Sequence, residues 1–472
     1  MKHNARELNK LGLSRLSCAI IIALNLAGCG TVALERTEQA KEVSRASLPE
    51  LPLAYAMDQH DLADVSLSWL EKIHDPVLTK LVIEAQKNNR DLQVLAASIE
   101  SAKALSDQAA SSLTPSLGAG ITTGMGGAIS DSAVSNINVG LQASWEPDLW
   151  GRIRSGKLAS DENLAAVKAD YTFAQYSLAA NVARAYFLAI EANGLELIAQ
   201  STIDVLNETH RIVSVQVDNG IGDQGDLSLV KTDRANAQDR LVSSKAAQRS
   251  ASRSLELLLG RYPSAELTVD SSLPIVPALP PAGLPSELLE RRPDLVAAER
   301  RIAAAFNRID AAKAAKLPSL SLSGSIGGAS NALSNILNPV NLVWQAASSL
   351  MAPLIDGGQL DAQVDLQTAE QQAAVENYAQ AALIAFNDVE TSLDESVILQ
   401  QRKEALSVGL EESKRGLSIA DLQYKEGEIG LLDVLLIQQR VFSAQRNYAS
   451  INRAGLIQYI DLNLALGGDW ES

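Results

Sequence analysis

The chain has 472 residues, a formal net charge of −16 at pH 7, 46% hydrophobic residues and only 4% aromatic residues. This acidic balance argues against a nucleic-acid binder, which needs a basic surface to displace counterions from phosphates. Two cysteines are too few for a disulfide scaffold or a four-ligand zinc site. No apolar run of about 18 residues follows the N-terminal segment, which excludes a helical membrane bundle.

The N-terminus predicts export from the cytoplasm. Residues 1–15 are basic, residues 16–26 are apolar and small residues follow, which is typical of a secretory signal rather than of a spanning helix. The tetrapeptide Leu26-Ala27-Gly28-Cys29 resembles a bacterial lipobox. This resemblance implies cleavage before Cys29 and its acylation, whereas a free cysteine after a plain signal peptide is the alternative. Cleavage removes four bases and one acid, and the formal charge becomes −19.

An internal repeat organises the rest of the chain. Two motifs recur at an offset of 203 residues: Asn89–Leu92 as Arg292–Leu295, and Thr114–Leu117 as Leu317–Leu320. Later landmarks, such as Leu257–Gly260 and Leu464–Gly467, are offset by 207 residues. Two constant offsets separated by one four-residue insertion predict a tandem duplication.

Proline placement predicts very long helices. No proline occurs over residues 148–262 or 354–472, and proline disrupts helix interiors. Hydrophobic residues at alternating steps of three and four in these segments predict coiled-coil packing. We expect a helix over about 156–217, then a turn at Asp218-Asn219-Gly220 and a return helix over about 226–259. Six of the fifteen prolines lie within 263–285, which predicts a linker between the repeats.

Between the helices, the alternation of apolar and polar residues predicts β-strands. It covers four segments, the last one less strictly: 116–124, 136–146, 319–326 and 341–352. Such strands, with Trp145, Trp150 and Trp344 in or beside them, are typical of a transmembrane β-barrel with an aromatic belt. A soluble sheet with one wet face is the alternative. A barrel needs about eight strands or more, so several chains must contribute to one barrel.

Taken together, the sequence resembles TolC-type outer membrane factors of the lipoprotein subclass, which serve multidrug and metal efflux pumps. The matching motifs cover essentially the whole mature chain: the lipobox at Cys29, Trp69 with Asp75–Leu78, Asn89–Leu92, Ser144–Arg152, Arg291–Leu295, Leu317–Leu320, Pro353–Gly358, Tyr424 with Gly427, Leu432–Leu435 and Leu464–Trp470. The resemblance implies a mainly α fold with a transmembrane β-barrel portion. Tandem duplicated long coiled-coil helices would form a periplasmic tunnel, and four strands per chain would join a shared trimeric twelve-stranded barrel.

The repeat and the resemblance together divide the chain into segments. We expect the lipoprotein signal peptide over 1–28, an N-terminal lipid-anchored segment over 29–74 and a C-terminal tail over 468–472. The repeats and the linker follow in chain order: a first repeat over 75–262 with a β-hairpin at about 115–147, a Pro-rich equatorial linker over 263–285, and a second repeat over 286–467 with a hairpin at about 318–353.

The function that the resemblance implies is that of an outer membrane channel subunit of a tripartite efflux system. The channel would be a passive exit duct for drugs, metals or other solutes. Its partners would be two further copies of the chain, a periplasmic adaptor (membrane fusion protein), an inner-membrane transporter and outer membrane lipid, with no nucleic acid. Gly30 after the anchor is similar to lipoproteins sorted to the outer membrane. The alternative is a lipid-anchored coiled-coil structural envelope protein without a pore.

The sequence predicts no enzyme and no cofactor. The mature histidines His60, His74 and His210 are too dispersed for a metal motif, and neither G-x-S-x-G nor a phosphate-binding loop occurs.

The two helix-to-helix turns are predicted to lie at the periplasmic tip, and they collect acids. They hold six acids and one base: Asp218, Asp223, Asp226, Glu426, Glu428 and Asp433, with Lys425. In the family, tip acids and a nearby tyrosine restrict the tunnel entrance. The resemblance carries this role over to Tyr424 and Asp433, with Asp226 as the repeat equivalent, and a solvated turn cap is the alternative for each acid.

Two departures from the family pattern modify this expectation. Ile429 stands where some members carry a gating arginine, and Leu436 replaces a second aspartate. Apolar contact at Leu431, Leu432 and Leu436 is therefore expected to support the closed entrance.

Overall fold

The computed structural model describes residues 36–49, 69–126, 134–280, 283, 285–330, 336 and 338–468. The predicted signal peptide 1–28, the predicted lipid-bearing Cys29 and residues 469–472 of the predicted tail lie outside these ranges.

Helices dominate the described chain. They are α1 (36–46), α2 (Trp69–Lys72), α3 (Pro76–Asn88), α4 (Arg90–Ser111), α5 (Arg152–Asp218), α6 (Gln224–Leu258), α7 (Pro285–Arg291), α8 (Pro293–Ala314), α9 (Gln359–Glu426) and α10 (Leu431–Ala465). With 67 and 68 residues, α5 and α9 are each about 100 Å long at 1.5 Å per residue. The long helices predicted from the proline-free segments are confirmed. Within the described ranges, no helix has a stretch that is both long and apolar enough to cross a membrane.

Each long helix begins at a side-chain cap. The Asp148 carboxylate accepts hydrogen bonds from the backbone N–H groups of Ile153 (3.0 Å) and Arg154 (2.9 Å). The Asp356 carboxylate does the same for Gly358 (3.0 Å) and Leu360 (2.9 Å). These carboxylates satisfy N–H groups that have no partner within the helix. The Asp148 cap explains why α5 starts several residues before the predicted position.

Four antiparallel strands form one sheet in the order β1-β2-β3-β4. The strands are β1 (Ser116–Gly126), β2 (Val134–Trp145), β3 (Ser319–Ser330) and β4 (Leu342–Met351). Their register aligns polar residues in some rows, such as Gln142, Ser325 and Gln345, and apolar residues in the rows between them. No strand contains a charged residue. The predicted fold class, long duplicated helices with four strands per chain, is confirmed.

Strands β2 and β3 approach each other closely where Gly140 faces Gly327. A Cβ atom on Gly140 would lie 2.5 Å from the Ile326 carbonyl oxygen, and one on Gly327 would lie 2.3 Å from the Val139 carbonyl oxygen. Only glycine fits at these two positions. By contrast, a Cβ on Gly118 of β1 would meet nothing within 4 Å.

The chain divides into two compact units, each with segments from both repeats. Unit 1 contains the described parts of Met1–Pro49, Ala97–Ala169 and Leu295–Ala381, and it includes the whole sheet. Unit 2 contains the described parts of Glu50–Ala96, Asp170–Asp294 and Ala382–Ser472. The duplication in the sequence therefore does not correspond to two separately packed halves.

Within unit 2, a buried arginine joins three chain segments. The Arg292 side chain is 6% exposed, and its guanidinium lies 2.8 Å from an Asp294 carboxylate oxygen and 3.1 Å from one of Asp388. Its Cζ lies 5.8 Å from the centre of the Phe173 ring. Burial lowers the pKa of Arg292, but the two carboxylates outweigh burial and the net shift is upward. Arg292 thus remains charged although it is buried, because the carboxylates of Asp294 and Asp388 compensate its charge.

A second buried charge in unit 2 holds the segment after α6. Glu256 is 2% exposed. Its two carboxylate oxygens accept hydrogen bonds from three consecutive backbone N–H groups, those of Ala265 (2.7 Å), Glu266 (2.9 Å) and Leu267 (3.0 Å). Ala265 has a positive φ of 63°, so the chain reverses sharply there. Residues 263–280 contain no helix or strand, and side-chain bonds such as these hold the segment in place.

Candidate gate at the two helix turns

The first turn joins α5 to α6 by a glycine reversal. Gly220 adopts φ 75°, and the N–H groups of Ile221 and Gly222 bond back to the Gln216 carbonyl at 2.9 Å. The positive φ is the geometry that glycine provides after a helix end. Asp223 then caps α6, with its side chain accepting from the backbone N–H groups of Gly225 and Asp226. Asp223 therefore has a structural role as a cap.

The second turn joins α9 to α10 in the same way. Gly427 adopts φ 77°, and its N–H bonds to the Tyr424 carbonyl at 3.1 Å. Asp433, in the first turn of α10, accepts a hydrogen bond at 3.2 Å from the N–H of Gly430. Asp433 therefore caps the start of α10, and its side chain is otherwise exposed.

One apolar cluster connects the two turns within unit 2; we name it the turn cluster. It consists of the buried residues Ile203, Leu206, Val213, Leu227, Val230, Ala237, Leu241, Leu431 and Leu435, with Ala199, Val217 and Tyr424 packed against them. Leu431 and Leu435 are only 3% and 2% exposed. They lie one helical turn apart and thus point to the same side of α10. This cluster fixes the start of α10 against α5 and α6.

The leucines predicted to seal the entrance fall into two groups. Leu431 belongs to the turn cluster, where packing within the chain accounts for it. Leu432 and Leu436 are 49% and 48% exposed and lie one turn apart on a neighbouring stripe of α10. These two residues form an apolar strip that this chain leaves uncovered.

Tyr424 lies where the two turns meet. Its ring packs on the turn cluster, and its hydroxyl is hydrogen-bonded to the Gln216 side chain near the end of α5. Burial and the nearby carboxylate of Asp226 raise the pKa of the Tyr424 phenol, although the Gln216 bond opposes them. The structure therefore brings Tyr424 and Asp226 together, whereas it places Asp433 in its own cap.

Sequence reasoning missed Leu435 and Gln216. Leu435 could have been found from its i, i+4 spacing to Leu431. Gln216 carries no local signal, because its role depends on a contact across 208 positions of sequence. Among the described residues, no group of three or more His, Cys, Asp and Glu residues could hold a metal ion.

Four strands flanked by pairs of very long helices define the subunit of an outer-membrane channel. The outer-membrane channel OprN has this fold: its structure superposes with a TM-score of 0.82 and 29% sequence identity, covering 90% of this chain and 98% of OprN. The outer membrane efflux protein family matches residues 81–261 and 284–468. The chain belongs to this family.

Curated relatives match over almost their whole length. The cation efflux system protein CusC of Escherichia coli O6:H1 is 29% identical over 94% of this chain and 98% of its own. The solvent efflux pump outer membrane protein SrpC of Pseudomonas putida is 31% identical over 88% and 90%. A Salmonella typhimurium relative described as the probable outer membrane lipoprotein SilC is 28% identical over 98% and 99%.

Membership establishes the general function. The chain is an outer membrane channel component of an efflux system, and channels of this family are passive rather than enzymes. Such channels belong to tripartite pumps, with a periplasmic adaptor and an inner-membrane transporter as the other members. The alternative of an envelope protein without a pore is set aside.

Proposed function

We propose that three copies of this chain form one lipid-anchored channel, which is closed at rest by the two helix turns. Drugs, metals or other solutes would leave the periplasm through it. The segment boundaries given above, from the signal peptide 1–28 to the tail 468–472, belong to this proposal. The observation that carries it is a sheet with two free edges and an exposed apolar face.

The free edges argue for a shared barrel. Strands β1 and β4 each have one neighbour, and all ten residues of β4 are exposed. On the apolar face, Leu117, Met125 and Trp344 are 71%, 78% and 78% exposed. Unpaired backbone groups cannot persist in lipid, so β4 of one copy would pair with β1 of the next. Three copies would supply twelve strands, which is within the range of barrels that close.

Tryptophans at both ends of the strands fit a membrane position. The Trp145 indole N–H bonds to the Leu113 carbonyl (3.0 Å), and that of Trp150 bonds to the Pro318 carbonyl (2.6 Å), both at the end where strands meet helices. Trp344 lies near the opposite end, at the start of β4. Rings with one bonded polar atom and an exposed apolar body favour membrane interfaces.

The lipid anchor at Cys29 rests on the lipobox. A relative described as an outer membrane lipoprotein, SilC, aligns over 98% of this chain. Acyl chains on Cys29 would each contribute roughly 0.8 kcal/mol of membrane affinity per buried CH₂ group.

The gate would combine charge with apolar contact. Leu432 and Leu436 form an uncovered strip that equivalent strips of other copies would cover. Asp433 lies in the same first turn of α10 as Leu432, and Asp226 lies near Tyr424. Three copies would bring six of these carboxylates to the entrance, which favours cations over anions. Tyr424 would hold the second turn against the first through the turn cluster and its hydrogen bond with Gln216.

The substrate is proposed only at the level of class. CusC is a cation efflux protein and SrpC a solvent efflux protein, so relatives of similar identity serve different solutes. We propose that the chain accepts what its pump delivers, since a passive duct with an uncharged sheet offers little discrimination. A susceptibility panel of drugs, solvents and metal salts after gene deletion would identify the class.

The gate is tested by single-channel recording in planar bilayers. We expect Asp226→Ala combined with Asp433→Ala to raise conductance or open time, because loss of the Asp433 cap loosens the start of α10, where Leu432 lies. Asp218→Ala is the matched control, since this exposed acid lies at the first turn without a gate role. Conductance and closed time equal to wild type in the double variant would refute the gate assignment.

A further inference from the structure

Helix α1 packs on unit 1 through one face. Ala40 is fully buried and Ser44 is 1% exposed, and this i, i+4 spacing marks the buried side of a helix. The intervening Glu42 is exposed. The described part of α1, residues 36–46, is short, and short helices rely on tertiary contacts such as these for their stability.

The first turn of α1 is held by polar contacts with two other helices. The Arg36 guanidinium lies 2.8 Å from a carboxylate oxygen of Asp310 in α8, and both side chains are less than one-third exposed. The Thr37 hydroxyl donates to the Glu162 carboxylate in α5 at 3.3 Å. The other oxygen of Glu162 lies 3.3 Å from Arg300 of α8, so one carboxylate joins α1, α5 and α8.

The last turn of α1 contacts a third helix. Ser44 is hydrogen-bonded to the hydroxyl of Tyr378 in α9, whose ring is 2% exposed. On α8, Glu299 faces the cations Lys41 and Arg45 as well as Glu38. Helix α1 therefore crosses α5, α8 and α9, and it makes contacts at both of its ends.

The positions of these contacts give α1 a direction relative to the sheet. Glu162 is ten residues into α5, about 15 Å from the helix start that follows β2. Asp310 is four residues from the end of α8, about 6 Å before the chain turns into β3. Tyr378 is 19 residues into α9, about 28 Å from the start that follows β4. The N-terminal end of α1 thus lies nearer to the sheet than its C-terminal end.

We propose that α1 is a strap that holds the acylated N-terminus beside the end of the sheet, so that the lipid anchor and the barrel meet the membrane at one level. This inference rests on the proposed function, in which Cys29 is acylated and the sheet is in the membrane. The position of the lipid anchor relative to the sheet is then fixed by α1, and the anchor is not attached through a flexible linker alone.

The length of chain before α1 matches this role. Seven Cα-to-Cα steps separate Cys29 from Arg36 and reach at most about 25 Å when extended. That reach exceeds the roughly 15 Å from the first turn of α1 to the start of α5. Deleting residues 31–34 leaves three steps, or about 11 Å, which is too short. The anchor can then reach lipid only if α1 undocks.

Docking is tested by a disulfide between α1 and α5. The only cysteine in the mature chain is Cys29, so Thr37→Cys with Glu162→Cys reports this contact alone. We expect most of the protein in outer membrane fractions to cross-link under mild oxidation. Thr37→Cys with Asp161→Cys is the control, because Asp161 bonds to Ser106 and Lys157 instead. Equal cross-linking of both pairs, or none of the first pair, would overturn the docked strap.

The role of the strap is tested by deletion of residues 31–34 and by charge reversal at the Arg36–Asp310 pair. Deleting residues 31–34 should lower the cross-linked fraction several-fold, while a four-residue insertion at the same place should not. Arg36→Asp and Asp310→Arg should each lower the amount of heat-resistant oligomer in the outer membrane, and the double variant should restore it. Wild-type oligomer and cross-linking in all of these variants would refute the strap.

Lipid labelling separates this inference from the proposed function. Radiolabelled palmitate should enter the wild type and every strap variant, but not Cys29→Ala. If the wild type takes no label, the proposed anchor is wrong. If labelling is normal and the strap variants insert like wild type, only the strap is wrong.

Discussion

The Glu256 carboxylate provides a sharp test of how the segment after α6 is held. In Glu256→Ala, the N–H groups of Ala265, Glu266 and Leu267 lose their acceptor at once. In Glu256→Gln, the amide oxygen can still serve two of them, while the amide NH₂ faces the N–H of Ala265. We therefore expect graded loosening of this segment, with alanine the more severe change.

The magnitude follows from the number of bonds and their burial. A hydrogen bond to a charged group contributes about 1.5–3 kcal/mol, but burying the carboxylate costs part of the sum. We expect about 3 kcal/mol for Glu256→Ala and about half of that for Glu256→Gln. These energies correspond to roughly 100-fold and 10-fold faster amide exchange if local opening limits exchange.

Hydrogen exchange on peptides that cover residues 262–268 measures this directly. Glu266→Gln is the control, because the Glu266 side chain is exposed and only its backbone N–H bonds to the Glu256 carboxylate. Unchanged exchange in Glu256→Ala would show that these bonds do not hold the segment.

The same group predicts a pH dependence. Burial raises the pKa of Glu256, but the three N–H bonds and Arg261 outweigh burial, and the net shift is downward. A glutamate carboxyl with a lowered folded-state pKa contributes its full stabilisation above its unfolded pKa of about 4.3. That contribution is lost as the pH falls through the folded value. Protection of residues 265–267 should thus decline in acid in the wild type and less in Glu256→Gln; equal acid sensitivity would contradict this reasoning.

Two further substitutions test other contacts in unit 2 and in the sheet. Arg292→Ala should lower the free energy of unfolding by about 3 kcal/mol in chemical denaturation, because it leaves Asp294 and Asp388 without their shared cation. Arg292→Lys should lower it by less. An equal loss in both variants would contradict the role of the guanidinium. Gly140→Ala should sharply reduce heat-resistant oligomer on gels, since its Cβ would lie 2.5 Å from a carbonyl oxygen. Gly324→Ala on the inner strand β3 should behave as wild type, since its Cβ would lie 3.7 Å from the Gln345 carbonyl oxygen.

The elements of the fold were predictable because their signals are local. The absence of proline over 148–262 marks a helix pair, and strict alternation over 136–146 marks a strand. Both signals depend on residues within one element. Helix ends were less accurate, since the start of α5 is set by the Asp148 side chain capping the N–H groups of Ile153 and Arg154.

The contacts between distant elements were not predictable. The turns could be found from Gly220 and Gly427, but the contact of Tyr424 with Gln216 depends on how α5 and α9 pack in unit 2. Likewise, α1 has no pattern that names Glu162 as its partner. Leu431 and Leu432 are adjacent leucines in the sequence, and only the packing of the helices shows that Leu431 is buried and Leu432 exposed.

The uncharged strands carry a consequence for ion preference. A solute that moves along the sheet meets hydroxyls, amides and backbone but no fixed charge, so the wall neither concentrates nor repels ions. Any difference between permeant cations and anions must then originate outside the four strands, and most of the acids lie on the helices. Variants that invert this preference are expected to map outside β1, β2, β3 and β4, and variants within these strands should change the flux of all ions alike.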